Sequence, residues 1–151
     1  MRAFRIADRR FPIFDGTGAR LLGGRWNSPG RPVIYAAETY AGALLEVLVH
    51  SNLGRVPKTH AAIEISIPNA VAVESLDGLS LPGWDAAGQV ASRAFGDEWL
   101  GTKRSAVLLA PSTVLRGREH NVLINPEHPD FLRIVASEPQ DVQWDSRLFA
   151  H

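Results

Sequence analysis

The 151-residue chain contains no cysteine, so disulfides, thiolate metal sites and cysteine nucleophiles are excluded, and nothing marks an oxidising compartment. It also carries no net charge, because 16 Lys and Arg residues balance 16 Asp and Glu residues. Such a chain has no global field to attract nucleic acid or an anionic membrane surface. Its apolar stretches all end well short of a bilayer-spanning length. These absences predict no direct binding to nucleic acid and no membrane span.

Motifs of several common enzyme classes are missing as well. No G-x-G-x-x-G or G-x-x-x-x-G-K-[ST] run occurs, so Rossmann and P-loop sites lack their signature. The five histidines show neither H-x-x-x-H nor H-E-x-x-H spacing, and we therefore predict no bound metal. No G-x-S-x-G elbow indicates a serine hydrolase, although a triad assembled from distant positions leaves no local signature.

The composition predicts one folded domain over residues 1–151. Hydrophobic residues make up 45% and charged residues 21% of the chain, both near globular averages, and the length is that of a single domain. The first ten residues contain no apolar signal region, so we expect a cytoplasmic protein. A neutral chain with four Trp residues also favours association with a partner or with itself.

The order of the expected elements favours an α+β domain over regular βαβ alternation. Strands are expected at residues 2–7, 33–37, 63–67, 71–73, 105–110, 121–124 and 131–135, the last three as an antiparallel meander or hairpin. A long glycine-rich loop is expected at residues 16–30, and helices at residues 39–52 and 85–100.

The helix at residues 39–52 has two readable features. Thr39 is expected to cap its N-terminus. Gly42, Glu46 and His50 form a separate row along the helix at i, i+4, i+8 spacing. The core face is expected to be the apolar row made of Ala41, Leu44, Leu45, Leu48 and Val49.

A glycine-rich motif at residues 23–30 is the first candidate for ligand binding. Its paired glycines let the backbone approach a ligand, and Arg25 offers a planar fork to phosphate oxygens. Trp26, followed by Asn27, has a ring suited to stacking or packing. The alternative is a tight turn with a solvated arginine and a tryptophan that anchors the core.

Four further residues have both a functional and a purely structural interpretation. Glu46 has an open flank beside Gly42, which would admit a substrate hydroxyl, or it is an ordinary exposed glutamate. Tyr35 either stacks on an aromatic ligand or belongs to the core. Ser112 and Asn121 adjoin strands, where they either face a ligand or stabilise turns.

Together these segments resemble the RES domain family, the toxin half of bacterial Xre–RES toxin–antitoxin modules. One departure is the segment of residues 116–120, Arg-Gly-Arg-Glu-His, which is more basic than the family pattern and is expected to alter the edge of a pocket. The resemblance rests on residues 24–27, 32–37, 43–50, 111–112, 121–129 and 145–149.

The resemblance implies a fold similar to that of ADP-ribosyltransferase toxins, a split β-sheet with flanking helices around an NAD cleft. It implies a growth-arresting toxin that consumes NAD as its substrate, by hydrolysis or phosphorolysis of the nicotinamide–ribose bond. The alternative activity is mono-ADP-ribosylation of a host protein such as phosphoribosyl pyrophosphate synthetase. An alternative of another class is a module that binds a nucleotide or partner without turnover.

The resemblance also implies roles for individual residues. Glu46 is expected to hold a ribose hydroxyl and stabilise the developing oxocarbenium ion. Arg25 is expected to hold a phosphate or the nicotinamide ribose, and Tyr35 to stack on nicotinamide. These three form the expected catalytic set. The expected NAD-binding residues are Arg5, Trp26, Asn27, Ser112 and Asn121.

A partner is implied in the same way. The family pairs with an Xre-like antitoxin that blocks the active site, often in a larger heteromeric complex. Because the chain itself is neutral, we expect the antitoxin rather than this chain to bind operator DNA.

Overall fold

The computed structural model describes residues 1–50 and 55–149, which form a mixed α+β fold. The α-helices within these residues are α1 (Thr17–Leu22), α2 (Tyr40–His50) and α3 (Val90–Thr102). The strands are β1 (Arg2–Asp8), β2 (Ile34–Ala37), β3 (His60–Ser66), β4 (Val73–Ser75), β5 (Val107–Pro111), β6 (His120–Ile124), β7 (Val135–Ala136) and β8 (Gln140–Asp141).

The strands form one sheet in the order β4-β5-β6-β2-β1-β3-β7, with β8 also paired to β3. The β4–β5 pair is parallel, whereas the remaining pairs of the described strands are antiparallel. β1 pairs with β3 along its whole length, but it meets β2 in register only where Phe4 lies opposite Ala37. The sheet therefore has two halves joined at a narrow junction between β2 and β1. One half is β4-β5-β6-β2, and the other is β1-β3-β7 with β8.

Period-two alternation explains the predicted strand at residues 63–67. Ile63 and Ile65 are buried in the largest hydrophobic cluster, while Glu64 and Ser66 point away from it. The same alternation continues backwards to Ala61, so the strand begins earlier than predicted, at His60. The pattern identified the strand and its core face correctly.

Helix α2 is present, but its predicted core face is wrong. Gly42, Ala43 and Val47 are the buried residues, whereas Leu45 and Val49 are exposed. Small side chains let the helix approach β1 and β2 closely, and the larger leucines then remain outside or half-buried. The hydroxyl of residue 39 accepts a hydrogen bond from the Gly42 amide at 2.9 Å, which confirms the predicted cap. Residues 51–52 of the predicted helix lie outside the described residues.

The loop predicted at residues 16–30 contains the short helix α1 and is therefore not irregular throughout. Asp15 Oδ1 accepts a hydrogen bond from the Thr17 amide at 2.7 Å, which satisfies one of the free donors at the start of the helix. Gly23 ends the helix with φ +72°, a conformation that favours glycine, and its amide donates to the Ala19 carbonyl. α1 buries none of its residues, so hydrophobic periodicity could not indicate it.

Helix α3 begins at Val90 rather than at residue 85. Gln89, immediately before it, has a left-handed backbone conformation that interrupts the helical path. Gly96 lies within the helix, where an added Cβ would lie 1.7 Å from the Trp26 carbonyl oxygen. This glycine therefore lets α3 pack directly against the backbone of the glycine-rich motif.

The later strands agree with the prediction only in part. β5 and β6 form the expected antiparallel pair, but most of the strand predicted at residues 131–135 is a 3₁₀ helix, Pro129–Arg133. His128 Nδ1 accepts from the Asp130 amide and so stabilises the start of that helix. β7 pairs with β3, so the predicted meander is wrong at its third strand. The strand predicted at residues 71–73 begins at Val73 and is β4.

Candidate active site

A cleft of about 710 Å³ opens at the junction between the two halves of the sheet. Its lining comes from β1, β2, α1, α2 and the glycine-rich motif, so it is assembled from both halves. The volume lies within the range of about 300–1,000 Å³ that is usual for small-molecule sites. Of the predicted site residues, the cleft is lined by Arg5, Arg25, Tyr35, Glu46 and Asn121.

Glu46 is the carboxylate of the α2 side of the cleft. Its side chain is 26% exposed. Oε1 accepts a hydrogen bond of 3.3 Å from Ser112 Oγ, and Oε2 lies 3.4 Å from His50 Nε2. Ser112 itself is buried behind the cleft and reaches it only through Glu46. Both contacts are long, so the carboxylate retains capacity to accept hydrogen bonds from a ligand.

His50 is a cleft residue that the sequence did not single out as a site candidate. The hydrogen bond that His50 donates to the Glu46 carboxylate raises the pKa of His50, and partial burial opposes that shift. The i, i+4 spacing of Glu46 and His50 was visible in the sequence and was the signal for this contact.

Tyr35 belongs to a closed hydrogen-bond network on the opposite side of the cleft. Its hydroxyl donates to Asn27 Oδ1 at 2.7 Å and accepts from the Trp26 amide at 3.0 Å. Asn27 Nδ2 in turn donates to the carbonyls of Ala19 and Arg31. Burial raises the pKa of Tyr35, so the phenol stays neutral and can serve as both donor and acceptor.

Trp26 and Asn27 are fully buried and do not line the cleft. The Trp26 ring stacks on Trp84, with centroids 6.5 Å apart, and meets Phe95 edge-on. The adjacent Gly24 allows the Tyr35 hydroxyl to come close, because a Cβ there would lie 2.7 Å from that oxygen. The structure therefore gives the two residues a supporting position behind the wall and no contact with the cleft.

The two cationic candidates are held by backbone carbonyls. Arg25 Nη1 donates to Trp84 and Ala86, and its Nε and Nη2 have no partner among the described residues, so they are free for an anion. Arg5 donates to the carbonyls of Ile13 and Tyr35 at 2.7 and 2.8 Å and so ties β1 to β2. Burial lowers the pKa of Arg5, and nearby Asp15 opposes the shift.

Asn121 lies on β6, in register with Ala37 on β2, and lines the cleft. Its side-chain amide has no hydrogen-bond partner within residues 1–50 and 55–149, although it is half-buried. A half-buried amide with unused donors and acceptor is suited to bind a polar ligand.

A family model of the RES domain matches residues 2–145. The chain belongs to the RES domain family. A relative from Sphingobium sp. strain YBL2, named Prs ADP-ribosylating toxin, is 42% identical over 139 residues, 89% of this chain and 85% of the relative. A Pseudomonas putida strain KT2440 protein named Toxin Res is 37% identical over 137 residues, 89% of this chain and 92% of that protein.

The fold of this RES domain is also found in a solved structure. A chain from the M. tuberculosis MbcT–MbcA toxin–antitoxin complex superposes with a TM-score of 0.73, covering 93% of this chain and 83% of that one. The two sequences are 17% identical, so the likeness concerns the fold.

Two cleft residues of the RES domain had no signal in the linear sequence. Asp8 and His60 become neighbours only through the pairing of β1 with β3. Hydrogen bonds from Arg10 lower the pKa of Asp8. His60 Nδ1 is buried and has no hydrogen-bond partner within the described residues.

The segment of residues 116–120 does not border the main cleft of the RES domain. Arg116, Gly117 and His120 instead line a separate cavity of about 290 Å³, together with Trp84 and Asp77. The basic segment therefore lines a different pocket from the one that holds Glu46.

Neither a metal centre nor a membrane segment is found in the described part of the chain. Residues 1–50 and 55–149 contain no group of three or more His, Cys, Asp or Glu side chains that could bind a metal ion. No helix in these residues combines the length and the apolar character that crossing a membrane requires.

Proposed function

We propose that this RES domain is the toxin of a toxin–antitoxin module and cleaves the nicotinamide–ribose bond of NAD in the cleft that Glu46 lines. The observation that carries the proposal is a partly exposed carboxylate with free acceptor capacity, in one cleft with Arg25 and Tyr35. The names of the Sphingobium and P. putida relatives support both the toxin role and a reaction on ADP-ribose.

The carboxylate suits the charge that this reaction develops. When the bond between the ribose C1 atom and the nicotinamide nitrogen breaks, its electron pair leaves with nicotinamide and the ribose becomes an oxocarbenium ion. Glu46 accepts a hydrogen bond from a ribose hydroxyl and stabilises that cation. An acceptor oxygen then bonds to C1 and releases its proton.

The other cleft residues bind and orient the dinucleotide. Arg25 presents its free nitrogens to a phosphate or to the nicotinamide ribose, and Arg5 adds a second positive charge. Tyr35 offers its ring to nicotinamide, and Asn121 its unpaired amide to a polar group. In this proposal the narrow junction of the sheet corresponds to the split sheet of ADP-ribosyltransferase-like folds, with NAD across it.

A protein acceptor is the second candidate function. It is favoured by the relative that is 42% identical and is named Prs ADP-ribosylating toxin. In that case the acceptor oxygen or nitrogen belongs to a host protein such as phosphoribosyl pyrophosphate synthetase. The same bond breaks, and the same residues act on the ribose.

An Xre-like antitoxin is the proposed partner, and it covers the cleft. The structural neighbour comes from a toxin–antitoxin complex. Leu22 and Val49 line the cleft with 81% and 59% of their surface exposed, which is the apolar rim that a protein partner would bury. We propose that the resulting heteromeric complex binds operator DNA through the antitoxin.

Nicotinamide release from NAD by the purified chain tests the proposal. We expect release by the wild type and a loss of about 10²–10³-fold in Glu46→Gln, which keeps the shape but removes the charge. Glu98→Gln on the exposed face of α3 is the matched control and should remain active.

The products identify the acceptor. Free ADP-ribose indicates hydrolysis, phosphate-dependent ADP-ribose-1″-phosphate indicates phosphorolysis, and a labelled protein in a lysate indicates transfer. A folded Glu46→Gln variant that retains full turnover would refute the assignment. Intact NAD in every arm would indicate a module that only binds.

A further inference from the structure

We propose that Glu119 and its partners form a clamp that positions Ser112 against Glu46, so that Glu119 is a positioning residue for the reaction. The clamp consists of two contacts between the β5–β6 loop (residues 112–119) with its flanking His120 and the start of α2. The inference rests on the proposed function, because it concerns the carboxylate that acts on NAD.

The first contact joins the loop to the cap of α2. Thr39 Oγ1 donates to Glu119 Oε1 at 2.8 Å and accepts from the Gly42 amide at 2.9 Å. A Cβ at Gly42 would lie 3.3 Å from the same Glu119 oxygen, so the absence of a side chain there leaves room for the carboxylate. One hydroxyl therefore fixes both the first turn of the helix and the end of the loop.

The second contact lies one residue further on. Glu38 Oε1 accepts a hydrogen bond of 3.1 Å from the His120 amide and also contacts His120 Nδ1. The Glu38 amide donates in return to the His120 carbonyl at 3.4 Å. Glu38 is thus bound to His120 through both its backbone and its side chain.

The loop transmits this anchoring to Ser112. The Ser112 amide donates to the Glu119 carbonyl at 3.0 Å, and the Gly117 amide donates to the Ser112 carbonyl at 2.8 Å. Ser112 Oγ accepts from the Leu115 amide at 3.2 Å, which directs its hydrogen towards Glu46 Oε1. Glu46 lies two turns along α2 from Thr39, so the clamp fixes donor and acceptor in one rigid frame.

The clamp consists of four side chains, those of Glu38, Thr39, Glu119 and His120. None of them lines the main cleft, so they do not contact NAD there. The basic residues of the loop itself do not make these contacts. Arg116 and Arg118 are exposed and have no side-chain partner in the described part of the chain. Within this basic segment it is the acidic Glu119 that bonds the Thr39 hydroxyl at the start of α2.

A double-mutant cycle tests the inference. We expect Glu119→Ala to lower kcat for nicotinamide release about tenfold, with KM for NAD unchanged because the Arg25 and Tyr35 side of the cleft is untouched. Ser112→Ala should cost a similar factor, and adding Glu119→Ala to it should cost little more. Glu119→Gln keeps an acceptor for Thr39 and should restore kcat.

Glu127→Ala, an exposed glutamate beyond the other end of β6, is the matched control and should leave kcat unchanged. Losses that multiply in the double variant, or an unchanged kcat in Glu119→Ala, would overturn the inference. If the alanine variant does not fold, Glu119→Asp, which withdraws the carboxylate from Thr39, should show the same non-additivity with Ser112→Ala.

A readout without turnover separates this inference from the proposed function. The Leu115 backbone amide reports the Ser112 hydroxyl to which it donates. Its NMR shift should change in Glu119→Ala and stay constant in Glu127→Ala, whether or not NAD is cleaved. An unchanged Leu115 shift overturns the clamp, whereas a changed shift without NAD cleavage overturns only the function.

Discussion

The two sides of the cleft are built from different kinds of contact. On the glycine-motif side, the half-buried Tyr35 hydroxyl bonds the buried Trp26 backbone amide and Asn27 Oδ1 at 3.0 and 2.7 Å. On the α2 side, Glu46 has partners at 3.3 and 3.4 Å, and the His50 side chain is 76% exposed. Short, buried hydrogen bonds fix the shape of one side, whereas long contacts leave the other side free to bind.

This difference separates stability from chemistry within a single cleft. A closed buried network penalises the loss of any member, because its former partner is left unpaired. A partly exposed carboxylate such as that of Glu46 remains hydrated when it loses a partner. Replacing Glu46 should therefore affect turnover more than folding. Substitutions on the glycine-motif side should therefore lower the stability of the fold, and substitutions on the α2 side should lower the rate of the reaction.

Gly96→Ala should produce the largest loss of stability. The new Cβ would lie 1.7 Å from the Trp26 carbonyl oxygen, so α3 must move away from the glycine-motif side. We expect the free energy of unfolding to fall by about 3 kcal/mol, measured by urea denaturation. Gly88→Ala is the control, because a Cβ there would have no heavy atom within 4 Å beyond residue 88 and its two chain neighbours. Equal stability of the two variants would contradict the rigidity of this side.

Tyr35→Phe should have the next largest effect. It keeps the ring but leaves the Trp26 amide and Asn27 Oδ1 without their partner, at a cost of about 1–3 kcal/mol in unfolding free energy. Tyr40→Phe removes a hydroxyl from a more exposed tyrosine and should change stability little. If Tyr35→Phe lost turnover without losing stability, the division between the two sides would fail.

His50→Gln should have the smallest effect, and one that depends on pH. Because the folded pKa of His50 is raised by Glu46, the pair stabilises the fold fully below the unfolded pKa of about 6.5. That contribution disappears as pH rises through the folded pKa. Wild type should therefore exceed His50→Gln in stability at pH 6 by more than at pH 9, measured by thermal unfolding. In a Glu46→Gln background the extra stabilisation by His50 at pH 6 should vanish.

The local patterns predicted elements better than they predicted faces. Alternation identified β3 because every second side chain of a strand reaches the same core. The leucine row of α2 was misleading, because Ala43 and Val47 are the residues that pack against the sheet. The spacing of apolar residues does not predict the distance between the helix and the sheet. Helix α1 buries nothing and therefore left no periodic signal.

The same limit applies to the site. The motif containing Arg25, Trp26 and Asn27 was located from its glycines, yet of these three side chains only that of Arg25 lines the cleft. Neighbouring residues in a turn point in different directions, and spacing alone does not give those directions. Ser112 and Glu119 are likewise related to Glu46 only through the pairing of β5 with β6 and the packing of α2.

The narrow sheet junction has a consequence during synthesis of the chain. β1 is synthesised before β3, and the paired residues of these two strands are more than 50 positions apart in the chain. The paired residues of β2 and β6 are further apart still. Non-local pairing of this kind delays folding until the distant strand exists. A nascent chain that ends before residue 112 holds neither Ser112 nor Asn121, so the complete cleft forms only after β6 has been synthesised.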